Sequence, residues 1–216
     1  MKMSFQKFQD FNFDPKEPGK QVELLNVDLI PADIARQLFV EMTRLRKCQE
    51  ALIDRYHPAE EMRCPVHFCI GQEAIPAALS LLLEPADYLY SHHRSHGFFF
   101  AKTHGFKELF AEMFGKENGA DGGKAGSQDI SMVSANFFSG AILAGGVPIA
   151  AGSAFAMKLK GRSQVSVTAA GDGATDEGVY WEALNYAALK KLPMIFVCGN
   201  NNYSTFSIGV LGVKIL

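Results

Sequence analysis

The last third of the chain holds a strand, a helix and a second strand joined by short connections, and this pattern constrains the fold most. Residues 164–169 alternate and are rich in β-formers, residues 178–190 have helical spacing, and residues 194–198 form an apolar run after Pro193. Such a unit pairs two parallel strands through a right-handed crossover. The sequence therefore predicts an α/β fold, a parallel sheet with flanking helices.

The upstream sequence adds helices to this core. Apolar periodicity and the positions of proline predict helices at residues 31–56, 71–83, 107–114 and 147–159 and a short strand at residues 88–91. A glycine-rich stretch, residues 115–126, is expected to be a mobile loop. Residues 1–30 lack a clear apolar period at their start, so we expect an N-terminal arm over 1–30 and one domain over 31–216.

The composition excludes some classes of partner and location. The 216 residues carry 21 Lys and Arg against 23 Asp and Glu, a net charge of −2, which gives no electrostatic basis for binding nucleic acid or a membrane. The four cysteines form no Cys-x-x-Cys pair, which favours reduced thiols. With neither a secretory signal nor a membrane-spanning run in the sequence, we expect a cytoplasmic protein.

Two polar clusters follow the two strands of the C-terminal unit. Gly171-Asp172-Gly173-Ala174 comes after the first strand and Asn200-Asn201-Asn202-Tyr203 after the second. Parallel strands end at the same edge of a sheet, where ligands bind in open α/β folds. The Asp172 carboxylate, the Asn201 amide oxygen and the Tyr203 carbonyl are ligands that suit Mg²⁺, while Gly171 and Gly173 allow the backbone to approach a phosphate.

These glycine motifs have other possible interpretations. Either cluster alone is more typical of an ordinary turn, and only their combination favours a site. A dinucleotide fingerprint fails because Asp176 stands where its third glycine belongs, and a P-loop fails because Ala125 follows Lys124.

Further blocks accompany the strand-end motifs in a characteristic order. The chain has His-Phe-Cys-Ile-Gly-Gln-Glu-Ala at 67–74 and Arg-Ser-His-Gly at 94–97, and then Gly-Asp-Gly-Ala at 171–174 and Asn-Asn-x-Tyr at 200–203. Over residues 31–207 the sequence resembles the alpha subunit of thiamine-diphosphate-dependent 2-oxo-acid dehydrogenases of the pyruvate and acetoin type. The resemblance implies the diphosphate-side domain of the thiamine-diphosphate fold, and we expect it to be incomplete at the C-terminus.

The same resemblance implies a set of site residues. Asp172, Asn201 and the Tyr203 carbonyl would hold Mg²⁺, and His67 would be the active-site histidine near the substrate. The cofactor would be bound by His93, Arg94, Ala141, Leu143, Gly171, Asp172, Gly173, Ala174, Asn201 and Tyr203.

Several residues also fit simpler interpretations or depart from the family pattern. A surface salt bridge is the alternative for Arg94, and a packed core position is the alternative for His67. His92, His93 and His96 could instead indicate a zinc cluster, although no fourth ligand is evident. His93 stands where relatives often carry Tyr, and Gln128-Asp129 replaces a Met-His pair, which argues against a pyruvate-specific pocket.

The resemblance further implies an activity and partners. The family decarboxylates a 2-oxo acid or cleaves acetoin and transfers the acyl unit to a lipoyl group on an acyltransferase component. A beta subunit carries the pyrimidine-side domain and its activating glutamate, so we expect a two-plus-two tetramer and no turnover by this chain alone. The alternatives are half of another thiamine enzyme, transketolase-like or a non-oxidative decarboxylase, and a catalytically silent partner-binding fragment.

Overall fold

The computed structural model describes residues 30–56, 60–62, 64–201, 203–204 and 207–208. The chain divides into two compact units, Met1–Gln37 and Leu38–Leu216. The arm predicted over residues 1–30 lies outside the described residues except for Ile30, and it stays a prediction. The site described below belongs to the second unit.

Helices and short strands alternate along the described chain. The helices are α1 (Ala32–Ile53), α2 (Ala74–Leu82), α3 (His96–Thr103), α4 (Phe106–Met113), α5 (Gly146–Leu159) and α6 (Gly178–Lys190). The strands are β1 (Tyr88–Ser91), β2 (Phe137–Ser139), β3 (Ser166–Gly171), β4 (Met194–Gly199), β5 (Tyr203–Ser204) and β6 (Ser207–Ile208). None of the helices in these described ranges combines the length and the apolar character that a membrane span requires.

Four of the strands form a parallel sheet in the order β2-β1-β3-β4. Strands β3 and β4 are joined through α6 and pair from Ser166 with Met194 to Gly171 with Gly199. This is the predicted unit, and the α/β fold class is confirmed. A separate antiparallel pair, β5 with β6, follows the sheet.

The sheet is packed on both faces. Val167 and Ala169 belong to a cluster with residues of α3, α4 and β2, whereas Ala170 packs with Val147 and Ala151 of α5 and with residues of α6. Alternate side chains of a strand face opposite sides of the sheet, so one strand serves both clusters. The small residues of α5 and β3 let this helix lie close to the sheet.

The structure corrects some predicted boundaries. Helix α2 begins at Ala74 rather than at residue 71, because Gly71 adopts a left-handed φ of +88° within a turn that Gln72 N–H closes on the Cys69 carbonyl at 2.9 Å. Strand β3 is shifted toward the C-terminus, to Ser166–Gly171. The predicted helix at 178–190 and the strand at 88–91 are confirmed to the residue.

Helix α3 and strands β2, β5 and β6 were not predicted. Helix α3 is buried on nearly all sides, and its sequence HGFFFAKT therefore lacks an amphipathic period. A Cβ at Gly97 would lie 2.8 Å from Cγ of Pro76, so this helix packs tightly on α2. Strand β2 has only three residues, too few for alternation to be recognised.

Strand β4 occupies an edge of the described sheet. An apolar run of this kind is typical of a central strand, but within the described ranges β4 pairs with β3 alone, and Ile195 is 48% exposed. The run is apolar because both faces of the strand carry packed side chains: Phe196 packs against the α5–α6 cluster and Val197 against the other.

Candidate active site

A cavity of about 610 Å³ opens where β1, β3 and β4 end. Its lining includes residues from each of the four sequence blocks that carry the resemblance. The predicted site residues that line it are His67, His93, Arg94, Leu143, Gly171, Asp172, Gly173, Ala174, Asn201 and Tyr203. The fold thus brings together residues up to 136 positions apart, from 67 to 203.

One wall, which we call the strand-end wall, consists of residues 171–174, residues 199–201 and Tyr203. Asp172 opens a 3-10 helix, Asp172–Asp176, directly after β3. The Asn201 N–H lies 3.4 Å from Oδ1 of Asp172, and the Tyr203 N–H donates to Oδ1 of Asn201 at 2.9 Å. The predicted closeness of Asp172 and Asn201 is therefore present in the fold.

The strand-end wall fits a hard cation next to a phosphate. A carboxylate and an amide oxygen are the donors that Mg²⁺ prefers, and the Asn201 oxygen retains a second lone pair beside its bond to Tyr203. A Cβ added at Gly171 would meet no atom within 4 Å, so the glycine leaves open space at the strand end. Burial first, and then the negative charge of Asp172, raise the pKa of Cys198.

A second part of the lining, which we call the histidine wall, consists of His67, Cys69, Gly71, Gln72 and residues 91–94. Arg94 donates from Nη1 to the Phe68 carbonyl at 2.7 Å, and its backbone N–H donates to Nδ1 of His92 at 3.3 Å. Burial, with smaller contributions from His93 and Arg94, lowers the pKa of His92 to about 4. Burial, His67 and Arg94 likewise lower the pKa of His93. Both imidazoles are therefore neutral near pH 7, while the Arg94 guanidinium supplies positive charge.

A buried network fastens the histidine wall to the core. Oε1 of Gln49 accepts the Cys69 N–H at 3.1 Å and lies 3.2 Å from Nδ1 of His96. Nε2 of His96 lies 2.9 Å from Oγ of Ser127, which also accepts the His67 N–H at 3.0 Å. An amide oxygen can only accept, so His96 carries its hydrogen on Nδ1, and Ser127 donates to Nε2.

This network shows that His96 has a structural role in the core. The residue is fully buried, burial lowers its pKa to about 4, and both of its ring nitrogens are engaged. Among the described residues no group of three or more His, Cys, Asp or Glu side chains is arranged to hold a metal. The zinc alternative for His92, His93 and His96 is therefore wrong.

An ion pair fixes the turn that precedes α2. The Glu73 carboxylate accepts the Gly71 N–H at 3.0 and 3.1 Å and the Nε–H of Arg46 at 2.6 Å. Burial alone would raise the pKa of Glu73, but the hydrogen bonds from Arg46 and Gly71 outweigh it and lower that pKa. Gly71 and Gln72 line the cavity, whereas Arg46 and Glu73 do not. The ion pair therefore holds lining residues in place from outside the cavity.

The glycine-rich loop is held far more firmly than its composition indicates. Glu112 is 1% exposed, and its carboxylate accepts four backbone N–H groups, at 2.8, 2.9, 2.7 and 3.2 Å, from Asp121, Gly123, Ala125 and Gly126. The expectation of a loop is confirmed, but these bonds contradict the expected mobility. No pattern in the sequence indicates this role, because a single glutamate on an amphipathic helix is usually solvated.

One predicted contact residue lies away from the cavity. The Ala141 N–H donates to Oδ1 of Asp129 at 2.9 Å, and residue 141 is not part of the lining, whereas Ile142, Leu143 and Ala144 are. The cofactor contact of Leu143 stays a prediction, as does that of Ala141.

Comparison with known proteins shows the family of this chain. The family model described as "Dehydrogenase E1 component" matches residues 40–208, and the chain belongs to this family. It is 38% identical over 166 residues to the pyruvate dehydrogenase E1 component subunit alpha, somatic form, mitochondrial, of Rattus norvegicus, covering 76% of this chain and 42% of that protein. It is 34% identical over 197 residues to the mitochondrial subunit alpha of Solanum tuberosum, covering 91% and 48% respectively. The chain thus spans less than half the length of these relatives.

An X-ray structure from Mycobacterium smegmatis, described as a thiamin diphosphate-dependent enzyme, overlaps with 66% of this chain and 23% of its own, with a TM-score of 0.43 and 20% identity.

Proposed function

We propose that the cavity binds thiamine diphosphate together with Mg²⁺, and that the chain is the alpha subunit of a thiamine-diphosphate-dependent 2-oxo-acid or acetoin dehydrogenase. The observation that carries this proposal is the cavity itself, in which Asp172 and Asn201 share a lining with Arg94 and His67. Family membership and the similarity to pyruvate dehydrogenase alpha subunits support it.

The proposal assigns each part of the cofactor to residues of this chain. Asp172, Asn201 and the Tyr203 carbonyl would hold Mg²⁺. The diphosphate would be bound by Gly173, Ala174, His93 and Arg94. The Arg94 guanidinium is suited to this role because it carries several N–H donors. When bound, the cofactor supplies the nucleophilic carbon and stabilises the carbanion of decarboxylation.

His67 is proposed to act on the substrate. Its half-buried side chain belongs to the cavity lining, and its ring is in edge contact with that of His93, with the two centroids 5.2 Å apart. An imidazole in this setting can hold or exchange a proton with an oxygen of a 2-oxo acid.

Exposed apolar residues at the rim of the cavity support the presence of a partner subunit. Ile142 and Leu143 line the opening, yet they are 78% and 46% exposed. We propose that a beta subunit covers them and supplies the pyrimidine side of the site, and that the acyl unit passes to a lipoyl-bearing acyltransferase component. The chain alone would then bind the cofactor without turning over a 2-oxo acid.

Calorimetric titration of the chain with thiamine diphosphate and Mg²⁺ tests the cofactor assignment. We expect saturable binding by the parent chain, no detectable binding by Asp172→Ala, and binding at least about tenfold weaker by Asn201→Ala, because a hydrogen-bonding or ligating group is worth over 1 kcal/mol. The matched control, exposed Asp54→Ala, should bind as the parent does. Unchanged binding by Asp172→Ala would show that the metal assignment is wrong.

A second assay tests the reaction class. The chain is co-expressed with a beta subunit of the family and tested for acyl transfer to a lipoyl acceptor, with ketol transfer between sugars as the alternative. Lipoyl-dependent transfer supports the dehydrogenase, whereas ketol transfer alone would favour a transketolase-like enzyme.

A further inference from the structure

Three consecutive residues, Ser127, Gln128 and Asp129, each hold a different group at or beside the cavity. Ser127 accepts the His67 N–H at 3.0 Å, and Gln128 contacts the ring of the same histidine, with its Nε2 3.2 Å from Nδ1. Asp129 accepts the Ala141 N–H at 2.9 Å. His67 is thus held through its backbone and its side chain by neighbouring residues of one segment.

The segment is itself well anchored. The carbonyl of Ser127 accepts the Ser95 hydroxyl at 2.8 Å, and the carbonyl of Gln128 accepts the Ser139 hydroxyl at 2.9 Å. The loop that leads to it is bound to Glu112. A side chain on such a support holds its partner in one orientation, which a solvated side chain could not do.

We propose that Gln128 is a positioning residue that fixes the tautomer of His67, so that the neutral imidazole carries its hydrogen on Nε2. The Gln128 amide group facing Nδ1 is NH₂, which only donates, so Nδ1 must accept. No described residue forms a hydrogen bond with Nε2 of His67, and the ring lines the cavity, so the Nε2–H is left for a bound molecule.

The consequence for chemistry rests on the proposed function. With Nε2 protonated, neutral His67 donates a hydrogen bond to an acceptor, such as the keto or carboxylate oxygen of a 2-oxo acid, and does not remove a proton from it. Gln128 therefore determines which of the two roles open to a histidine this one takes. In the sequence, the one sign of this role is that Gln128 stands where relatives often carry Met.

The surroundings do not impose the other tautomer. The titratable and charged groups near His67 are His93, in ring contact, His96, through Ser127, and Arg94, bound to the neighbouring Phe68 carbonyl. Burial lowers the pKa of both His93 and His96, and neither is a carboxylate that would draw a proton onto Nδ1.

Nitrogen chemical shifts of the imidazole test the proposal directly. The full chain is labelled with ¹⁵N-histidine and measured at pH 8, above the usual histidine pKa of about 6.5, with His67→Gln used to assign the signals. We expect the Nε2–H tautomer in the parent. In Gln128→Met, which keeps the length but removes the hydrogen bond, the tautomer ratio should fall by about fivefold. In Gln128→Glu, whose carboxylate only accepts, the hydrogen should move to Nδ1.

The controls separate this proposal from other outcomes. Gln37→Met makes the same change at an exposed position and should leave the His67 signals unaltered, and circular dichroism shows whether each variant is folded. An Nδ1–H tautomer in the parent, or the parent ratio retained in folded Gln128→Met, would overturn the proposal.

Activity gives an independent readout that a purely structural role would not produce. With the beta subunit and cofactor present, Gln128→Met should lower kcat about fivefold with KM and cofactor affinity within about twofold. If the parent chain does not bind the cofactor, the proposed function is refuted, but the result on the His67 tautomer still holds.

Discussion

The two walls of the cavity are built in different ways. The histidine wall is fixed by buried side chains from other parts of the fold: Gln49 and Ser127 accept its backbone N–H groups, and His96 links these two side chains. The strand-end wall consists of turns after β3 and β4, and its hydrogen bonds, such as Asn201 N–H to Asp172, are exposed. We infer that the histidine wall is preorganised by the core, whereas the strand-end wall is completed by what it binds.

This difference predicts opposite responses to mutation. Changes behind the histidine wall remove hydrogen bonds that solvent cannot replace, so they should lower the stability of the chain without any ligand. Changes in the strand-end wall remove ligands for a cation, so they should spare the free chain and abolish binding.

The largest effect on stability is expected at Glu112. Replacement by Ala leaves four N–H groups without their shared acceptor, so Glu112→Ala should lower the free energy of unfolding by about 4 kcal/mol. Urea denaturation measures this value. The matched change at an exposed position of the same region, Glu117→Ala, should cost less than about 0.5 kcal/mol.

A pH-dependent loss of stability is expected from His96. Its pKa is about 4 in the folded chain, against about 6.5 when unfolded, so the unfolded state binds more protons between these values. Stability should be fully present above pH 6.5 and fall by about 3 kcal/mol as the pH drops to 4, with His92 adding to the same trend.

The slope of stability against pH isolates the contribution of His96. His96→Asn should be less stable at pH 7 but show a shallower slope between pH 4 and 6.5, whereas exposed His104→Asn should keep the parental slope. Parallel slopes for the parent and His96→Asn would contradict burial of a neutral histidine there.

A smaller effect is expected at the ion pair behind α2. Arg46→Met removes the partner of the Glu73 carboxylate but leaves its bonds to Gly71 N–H, so the unfolding midpoint should fall less than in Glu112→Ala. Because the Arg46 side chain is solvent-accessible, added salt should reduce the difference between Arg46→Met and the parent. A difference that salt leaves unchanged would indicate a packing role for Arg46.

The smallest effect on stability is expected at Asp172. In the absence of ligand, Asp172→Ala should change the free energy of unfolding by no more than about 0.5 kcal/mol, because its bond to Asn201 is long and exposed. A large loss of stability would place Asp172 in the structural framework and would remove the contrast between the walls.

The two walls also differ in how far the sequence predicted them. The strand-end wall depends on short contiguous motifs after two recognisable strands, and the crossover rule alone brings Asp172 to Asn201. The contacts behind the histidine wall join residues 20 to 60 positions apart, such as Gln49 with Cys69 and His67 with Ser127. Periodicity carries no information about such pairs, so the resemblance could indicate His67 but not what holds it.

The same limit explains the elements that were missed. Helix α3 follows no amphipathic pattern because the core surrounds it, and the Glu112 loop is ordered by one carboxylate rather than by local propensity. Local patterns predicted the elements whose sequences show a recognisable period, such as β3 and α6, and tertiary contacts decided the rest.

The location of a bound cation tests the account most directly. Crystals grown with thiamine diphosphate and Mn²⁺ in place of Mg²⁺ allow the ion to be found by its anomalous scattering. We expect one ion in the cavity, bound by the Asp172 carboxylate and the Asn201 amide oxygen and in contact with the diphosphate. A bound cofactor with the ion among the histidines, or with no ion at Asp172, would contradict the assignment of the strand-end wall.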